Sequence, residues 1–204
     1  MKILFCDWNG TLIDDTKIWE ESFGALFRFY GKEPPTIGQY FSELETGDYM
    51  EVYRCRGIMA PREELNAMYE AEYKKRAHGA TLYPYVRETL QFLFERRVTL
   101  ALVTAQPQAI ALPMLEKFEI DSLFRYFAFH ALDKKTHLSR IVAEENTHPH
   151  ECYFVGDAPS DMRHAKAAGV QAVAFLNGHI PQNLMHATKP HHYIYSFHRI
   201  TSFL

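Results

Sequence analysis

Short, mostly apolar runs alternate with amphipathic stretches over much of the chain. Runs at residues 3–6, 98–103, 152–155 and 172–175 have the length of strands, and a weaker one follows at 126–130. The stretches between them carry apolar residues at helical spacing, and the tail predicts an edge strand at 193–195 and a terminal helix at 197–204. Because strands and helices alternate in units of this length, we expect a Rossmann-like parallel sheet covered by helices on both faces.

Residues 15–80 interrupt this alternation with a purely helical pattern. One helix is predicted from Thr16 to Tyr30, where apolar side chains share a face and Gly31 follows. Thr36 and Gln39 have the spacing of a capping box, and further helices are predicted at 50–56 and 61–78. The sequence therefore predicts an all-helical cap, residues 15–80, inserted into an α/β core made of residues 1–14 and 81–204.

Composition narrows the function without identifying it. Lysine and arginine number 22 and aspartate and glutamate 25, a formal net charge of -3, so neither nucleic acid nor an anionic membrane surface is indicated as a partner. The apolar start is too short for a signal peptide, and polar residues interrupt later runs before they could span a bilayer. We therefore expect a soluble, cytoplasmic protein.

Three aspartates lie at or shortly after the ends of predicted strands and are candidates for a catalytic or metal-binding role. Asp7 comes where the first strand ends, Asp157 follows the strand at 152–155, and Asp161 lies four residues further on. Taken singly, each could be a turn residue or a charge at a helix start. The carboxyl ends of parallel strands, however, share one edge of a sheet, so the three carboxylates are expected to converge there. Magnesium would relieve their mutual repulsion.

Four sequence motifs occur in order along the chain. They are the stretch from Asp7 to Leu12, Thr104 after the run at 98–103, Lys134 or Lys135 at the start of a predicted helix, and residues 156–161. Together they resemble the motifs of the haloacid dehalogenase superfamily, on its phosphoglycolate-phosphatase-like branch. In that resemblance Asp7 begins the first motif, Thr104 is the hydroxyl residue of the second, Lys134 fits the lysine of the third with Lys135 as an alternative, and residues 156–161 match the acidic fourth motif. The resemblance covers nearly the whole chain and implies that residues 15–80 are a helical cap of the C1 type.

The resemblance implies a magnesium-dependent phosphatase acting on a small phosphorylated metabolite. Asp7 would attack phosphorus to form an aspartyl phosphate that water later hydrolyses. By the same resemblance, Mg²⁺ would be held by Asp7, Asp157, Asp161 and the backbone carbonyl of Asn9, and the phosphoryl group would be bound by Thr104, Ala105 and Lys134. In the cap, basic and phenolic side chains that suit an anionic substrate are candidates for substrate contact: Tyr53, Arg54 and Arg56.

Asn9 departs from the family pattern, which has a second aspartate at this position. That aspartate protonates the leaving oxygen and then activates water, and general acid-base assistance of this kind contributes on the order of a hundredfold to ten-thousandfold. An amide can do neither, although its backbone carbonyl remains available to magnesium. The chain could therefore be a slow phosphatase, a phosphatase whose acid comes from elsewhere, a phosphate-binding or regulatory protein, or a variant in which Asn was introduced to trap an intermediate.

Other branches of the superfamily fit less well. Haloalkanoic-acid dehalogenases lack the paired acids of the fourth motif, which this chain has in Asp157 and Asp161. Phosphonoacetaldehyde hydrolases share Asp-Trp and a non-acid two residues after the nucleophile, but they use a cap lysine as a Schiff base. A C–P bond hydrolase is therefore only a further alternative, because the lysines of the cap are expected to be surface residues. They are Lys17, Lys32, Lys74 and Lys75.

Overall fold

The computed structural model describes residues 2–44, 48–176 and 180–204. Its strands, in chain order, are β1 (Ile3–Cys6), β2 (Ile13–Asp14), β3 (Thr81–Leu82), β4 (Thr99–Val103), β5 (Tyr126–Ala128), β6 (Cys152–Gly156), β7 (Gln171–Phe175) and β8 (His192–Ile194). Six of them form one parallel sheet in the order β5-β4-β1-β6-β7-β8. The remaining two, β2 and β3, form an antiparallel pair.

The helices of the described residues fall into two groups. Before β3 lie α1 (Thr16–Phe29), α2 (Ile37–Leu44), α3 (Met50–Arg54) and α4 (Arg62–Arg76). After β3 lie α5 (Val86–Glu95), α6 (Gln108–Lys117), α7 (Lys134–Glu144), α8 (Pro159–Ala167) and α9 (Gln182–Ala187). Short 3-10 turns occur at Ala77–Gly79, Asp121–Leu123, Pro149–Glu151 and Phe197–Ser202.

The central strand β1 is buried on both faces. Leu4 and Cys6 join one hydrophobic cluster, while Ile3 and Phe5 join a second cluster on the opposite side of the sheet. Side chains alternate along a strand, so an uninterrupted apolar run serves two helical layers at once. The predicted fold class, a Rossmann-like parallel sheet with a helical cap, is confirmed.

The helices of residues 15–80 have a hydrophobic cluster of their own. It is rich in aromatic side chains, and Phe27 stacks on Tyr53 with ring centroids 5.1 Å apart. The predicted capping box is present. The backbone N–H of Gln39 donates to Thr36 Oγ1, and the backbone N–H of Thr36 donates to Gln39 Oε1. The division of the chain at residues 14 and 81 stays a prediction, and the β2–β3 pair lies at both of these positions.

Four short elements differ from the sequence expectation. The tail at Phe197–Ser202 is a 3-10 turn rather than a helix, and β2, β3 and α9 were not predicted. Two-residue strands and a six-residue helix are too short to give a periodic pattern, which explains the omission. None of the helices in the described residues has the length and apolar character needed to cross a membrane.

Candidate active site

The predicted aspartates lie at the topological switch point of the sheet. From β1 the chain first builds β4 and β5 on one side, and later returns to place β6 on the other side of β1. Asp7 follows β1 directly, and its backbone N–H continues the ladder by donating to the Val155 carbonyl at 3.0 Å. Asp157 follows β6. Loops diverge at such a point and leave a crevice at the carboxyl ends of the strands.

Three carboxylates converge in this crevice. Oxygens of Asp7, Asp157 and Asp161 lie within 4.8 Å of one another, and all three residues are buried. Burial raises the pKa of Asp7 to about 7, against the lowering effect of Lys134 and with a further contribution from Asp161. Burial also raises the pKa of Asp157, and the charges of Asp7 and Asp161 add to that effect. In the absence of a bound metal ion, the cluster is therefore an unfavourable place for negative charge.

Lys134 provides positive charge within the cluster. It is the first residue of α7, and its Nζ donates hydrogen bonds of 2.7 Å to Asp7 Oδ1 and 2.7 Å to Asp161 Oδ1. Burial alone would lower the pKa of Lys134, but Asp161 and Asp7 raise it above its ordinary value. The ammonium group therefore stays charged at neutral pH. Lys135, the alternative from sequence, is exposed.

Two glycines allow the backbone to approach these carboxylates. Gly10 has a φ of +68°, and a Cβ there would lie 2.2 Å from Asp157 Oδ2. A Cβ at Gly156 would lie 2.4 Å from Asp161 Oδ2. Each glycine thus leaves the space that an acid occupies. Thr11 supports the same region, since its hydroxyl donates to Asp157 Oδ1 at 3.1 Å.

Thr104 lies at the end of β4, beside the carboxylates along the same edge of the sheet. Its backbone N–H donates to the Ala128 carbonyl at 2.9 Å, and its Oγ1 accepts a hydrogen bond of 3.0 Å from the Gln106 N–H. The hydroxyl proton of Thr104 is not used by that bond and can be donated to a ligand. Thr104 and Ala105 line the same cavity as Asp7 and Lys134.

Asn9 makes contacts that the sequence did not predict. Its Nδ2 donates to Asp15 Oδ2 at 2.7 Å and to the Tyr73 hydroxyl at 2.9 Å. Asp15 also accepts from the Gly10 N–H at 3.0 Å and from the Tyr73 hydroxyl at 2.8 Å. Burial raises the pKa of Asp15, although the hydrogen bonds from Asn9, Tyr73 and Gly10 oppose the shift. The network connects helix α4 to the loop that carries Asp7.

These residues surround a cavity of about 220 Å³ between the sheet edge and the first two helices. One wall is polar and carries Asp7, Asn9, Gly10, Asp15, Thr104, Lys134 and Asp157. The apolar wall is formed by residues of α1 and α2: Trp19, Ile37, Tyr40, Phe41 and Leu44. An adjoining cavity of about 450 Å³ shares Asp7 and Lys134 with the first, together with Tyr40, Phe41 and Leu44 of the apolar wall. It is also lined by Arg163 and His164.

The residues predicted to contact substrate from the cap lie elsewhere. Tyr53 is buried in the cap's own hydrophobic cluster. Arg54 pairs with Glu51, and Arg56 pairs with Glu43 at 2.8 Å. None of the three lines either cavity in the described part of the chain. The four cap lysines are exposed and also lie outside both cavities, so no described cap lysine is in position for a Schiff base.

Sequence reasoning missed two features of the site. The sequence analysis gave no role to Asp15 or Tyr73, and only the folded chain brings these two residues to Asn9. The apolar wall had a readable signal, because Ile37, Tyr40, Phe41 and Leu44 are spaced i, i+3, i+4 and i+7 and form one face of α2. That stripe is equally typical of a helix packed into a core, so the sequence alone did not connect it with a substrate.

Comparison with known proteins agrees with this geometry. The sequence model of the haloacid dehalogenase-like hydrolases matches residues 3–175. A phosphoglycolate phosphatase of Pseudomonas putida strain KT2440 is 28% identical over 191 residues, which cover 87% of this chain and 70% of the relative. A phosphoglycolate phosphatase of Pseudomonas syringae pv. syringae strain B728a is 31% identical over 193 residues, with 87% and 70% covered.

Solved structures show the same fold. A haloacid dehalogenase-like hydrolase from Streptococcus pneumoniae aligns with a TM-score of 0.80 at 19% identity, covering 98% of this chain and 97% of its own. A predicted phosphoglycolate phosphatase from Haemophilus somnus 129PT aligns with a TM-score of 0.79 at 22% identity, covering 99% and 97%. Together with the sequence match, these findings show that the chain belongs to the haloacid dehalogenase-like hydrolase family, among its phosphatase-type enzymes.

Proposed function

We propose that the protein is a magnesium-dependent phosphatase that hydrolyses a small organic phosphate ester through a phosphoryl group carried on Asp7. The observation that carries the proposal is the contact of Lys134 Nζ with Asp7 at the sheet edge, beside Asp157 and Asp161. A nucleophile, a buried cation and a set of acidic metal ligands are what a transfer of an anionic phosphoryl group requires.

The residues present fit a magnesium ion. Mg²⁺ takes oxygen ligands and is commonly bound by one or two carboxylates together with substrate phosphate. The charged groups of the cluster are three carboxylates and one ammonium group, so their formal charges sum to minus two. A divalent cation held by Asp7, Asp157, Asp161 and the Asn9 carbonyl would balance this charge. When bound, the ion would neutralise phosphate charge and so permit an anionic nucleophile to approach.

In the first step, a carboxylate oxygen of Asp7 attacks phosphorus and the P–O bond to the alcohol breaks. The leaving oxygen takes the electron pair and acquires a proton from water. Lys134 binds one oxygen of the Asp7 carboxylate and places its positive charge beside the phosphoryl group. The Thr104 hydroxyl donates a hydrogen bond to a phosphoryl oxygen. In the second step, a water oxygen attacks phosphorus and the P–O bond to Asp7 breaks. The Asp7 carboxylate is regenerated, and inorganic phosphate leaves with the proton of the attacking water retained or lost to solvent.

Asn9 sets the limits of this chemistry. Its Nδ2 is engaged by Asp15 and Tyr73, and an amide has no proton to transfer at neutral pH. The first step then depends on how readily the alcohol leaves as an anion, and the second step depends on unassisted water. The proposed enzyme is therefore slow, and the second step limits its turnover of esters with good leaving groups.

Hydrolysis of p-nitrophenyl phosphate tests the proposal. Turnover is expected with Mg²⁺, to be lost on adding a chelator and to be restored by excess metal. Asp7→Asn is expected to abolish turnover, because it removes the nucleophile while keeping the shape of the side chain. Glu20→Gln makes the same chemical change on the exposed side of α1 and should leave the rate unchanged. Absence of metal-dependent turnover at high protein concentration would overturn the proposal and favour a phosphate-binding role.

A further inference from the structure

The apolar wall of the cavity is made by a helix face that is only partly packed against the neighbouring hydrophobic clusters. Helix α2 has no fully buried residue, yet Ile37, Tyr40, Phe41 and Leu44 share one face of it and line the cavity. Each of these side chains is half-buried, so each has apolar surface exposed to the cavity. Trp19 of α1 extends this wall, and its ring lies 5.0 Å from the ring of Tyr40 at an angle of 62°.

This wall lines the same cavity as the groups that would hold the phosphoryl group. Asp7, Thr104 and Lys134 line the same cavity from the core side, and Asn9 lines it at the position expected to face the leaving oxygen. In a cavity of this size, the ester group of a phosphate bound by the polar residues would be within reach of Trp19 and helix α2. A volume of about 220 Å³ is smaller than the roughly 300–1,000 Å³ of pockets for drug-sized ligands, and suits a phosphate that carries a single ring.

Charge around the cavity disfavours a second anionic group on the ester. Among its described lining residues Lys134 is the only cation, and its ammonium already bonds Asp7 and Asp161. A carboxylate pressed against the apolar wall would lose its hydration without gaining a partner, which is unfavourable. Arg163 lines only the adjoining cavity, which shares Tyr40, Phe41 and Leu44 with the first but lacks Asn9, Thr104, Trp19 and Ile37.

The chemistry of Asn9 leads independently to the same class of substrate. Since Asn9 cannot protonate the leaving oxygen, efficient substrates are those whose alcohol is weakly basic. A phenolic oxygen has a pKa of about 10 and leaves as an anion far more readily than the oxygen of an aliphatic alcohol. Aromatic rings also pack well against other aromatic side chains in tilted or stacked arrangements.

We infer that the substrate is a phosphate monoester of a phenol-type alcohol, with its ring against Trp19 and the apolar face of α2. The inference rests on the proposed function and refines it, because it separates this protein from relatives named for phosphoglycolate, whose leaving alcohol is small, aliphatic and anionic. The reaction is the one described above, with the phenolate leaving from phosphorus and taking its proton from water.

The inference is tested by comparing kcat/KM, which reports the steps up to phosphoryl transfer, for three esters. Phenyl phosphate is expected to exceed phosphoglycolate by on the order of a hundredfold, the scale of discrimination that differential contacts in a pocket can give. The ester 4-carboxyphenyl phosphate keeps a phenolic leaving group and adds a charge, and it should fall about tenfold below phenyl phosphate. Equal or better use of phosphoglycolate would overturn the inference and leave the proposed function intact.

Variants on α2 localise the effect. Ile37→Lys places a cation on the face that lines the cavity and should raise the preference for 4-carboxyphenyl phosphate over phenyl phosphate by about tenfold. Ser42→Lys makes the same change in charge on an exposed position of the same helix and should leave the preference unchanged. A preference that moves equally in both variants would show long-range electrostatics and contradict a contact at Ile37. Arg163→Ala tests the adjoining cavity and is expected to leave kcat/KM unchanged for phenyl phosphate, phosphoglycolate and 4-carboxyphenyl phosphate.

Binding of unreactive analogues keeps the test decisive if turnover is too slow to measure. In calorimetry with Mg²⁺, phenylphosphonate should bind at least about tenfold more tightly than phosphonoacetate, because only the first has a ring and lacks a second anion. Tighter binding of phosphonoacetate would overturn the inference. Failure of both compounds and of inorganic phosphate to bind would overturn the proposed function together with it.

Discussion

The Asn9 side-chain amide donates a hydrogen bond of 2.7 Å to the Asp15 carboxylate, so an amide and an acid stand in contact at the site. Replacing Asn9 by Asp alone would bring a second carboxyl group within hydrogen-bond distance of the buried Asp15. Like charges this close cannot both ionise without cost. Any change at position 9 must therefore be evaluated together with position 15.

The double exchange Asn9→Asp with Asp15→Asn is expected to increase turnover. It preserves net charge and reverses the hydrogen bond, while placing an acid where the family has one. For benzyl phosphate, whose alcohol is a poor leaving group, we expect kcat to rise on the order of a hundredfold. Asn9→Asp alone should gain less and melt at a lower temperature. An unchanged rate in the double variant, with melting like the parent, would contradict our account of Asn9.

A second prediction concerns the order of events in one turnover. With an aryl phosphate the first step needs no acid, but the second still needs an activated water that Asn9 cannot supply. Phosphorylated Asp7 should therefore accumulate. Rapid mixing with p-nitrophenyl phosphate is expected to release a burst of about one p-nitrophenolate per protein before a slow steady rate, and acid-quenched protein should gain one phosphoryl group in intact mass. A linear release from time zero would show that the second step is not limiting.

The sequence predicted most of the sheet because its strands are buried on both faces. Strands β1, β4, β6 and β7 are short apolar runs, as expected of parallel strands that helices cover on both faces. The helical patterns between these runs match the connections that parallel strands need. Local turn chemistry was equally informative at Gly31 and at the Thr36–Gln39 box. Elements without periodicity, such as β2 and β3, could not be predicted, because two residues form no pattern.

The candidate site was predictable where residues follow strand ends and not where distant segments meet. Asp7, Thr104 and Asp157 each follow a strand of the sheet, so topology alone places them together. Asp15 and Tyr73 are 58 positions apart in the chain and meet only through the packing of α1 and α4, which no local signal specifies. For the same reason the candidate contacts in the cap were chosen by charge, whereas the wall facing Asp7 is apolar.

Lys134→Ala is expected to impair both activity and folding. Removing the ammonium group leaves Asp7 and Asp161 buried without their common donor, and breaking a buried pair in this way typically costs about 3–5 kcal/mol. Urea unfolding in the presence of a chelator should show a loss of this size, and turnover should fall to background. Lys135→Ala is the matched control, since the neighbouring side chain is exposed and should change stability by less than about 0.5 kcal/mol. Similar losses in both variants would count against the role given to Lys134.

The metal-free protein is expected to lose stability as pH rises from about 4 to about 7. The pKa of Asp7 is 3.8 in the unfolded chain and about 7 in the fold, so the native state binds more protons in this window. Stability then falls with pH, by at most about 1.4 kcal/mol per pH unit for one proton. His164 and His192, whose pKa values burial lowers, contribute the opposite slope below their ordinary pKa.

Comparison with Asp7→Asn isolates the aspartate from the histidines, because both proteins contain the same histidines. Urea unfolding in chelator at pH 5 and pH 8 should show that the variant gains stability relative to the parent as pH rises. Mg²⁺ should remove the difference by stabilising the ionised carboxylates of the parent. A difference independent of pH would contradict the assignment of the slope to Asp7.

Gly10→Ala is expected to damage the metal site without touching a ligand. An added Cβ would lie 2.2 Å from Asp157 Oδ2, and the φ of +68° is one that alanine adopts only with strain. Either Asp157 or the loop that carries Asp7 must move, so we expect the Mg²⁺ concentration for half-maximal activity to rise about tenfold or more, as for loss of support around metal ligands. Gly79→Ala is the matched control, since its Cβ would meet no atom within 4 Å. Its metal dependence should equal that of the parent, and an equal shift in both variants would mean that Gly10 acts on overall stability instead of on the position of Asp157.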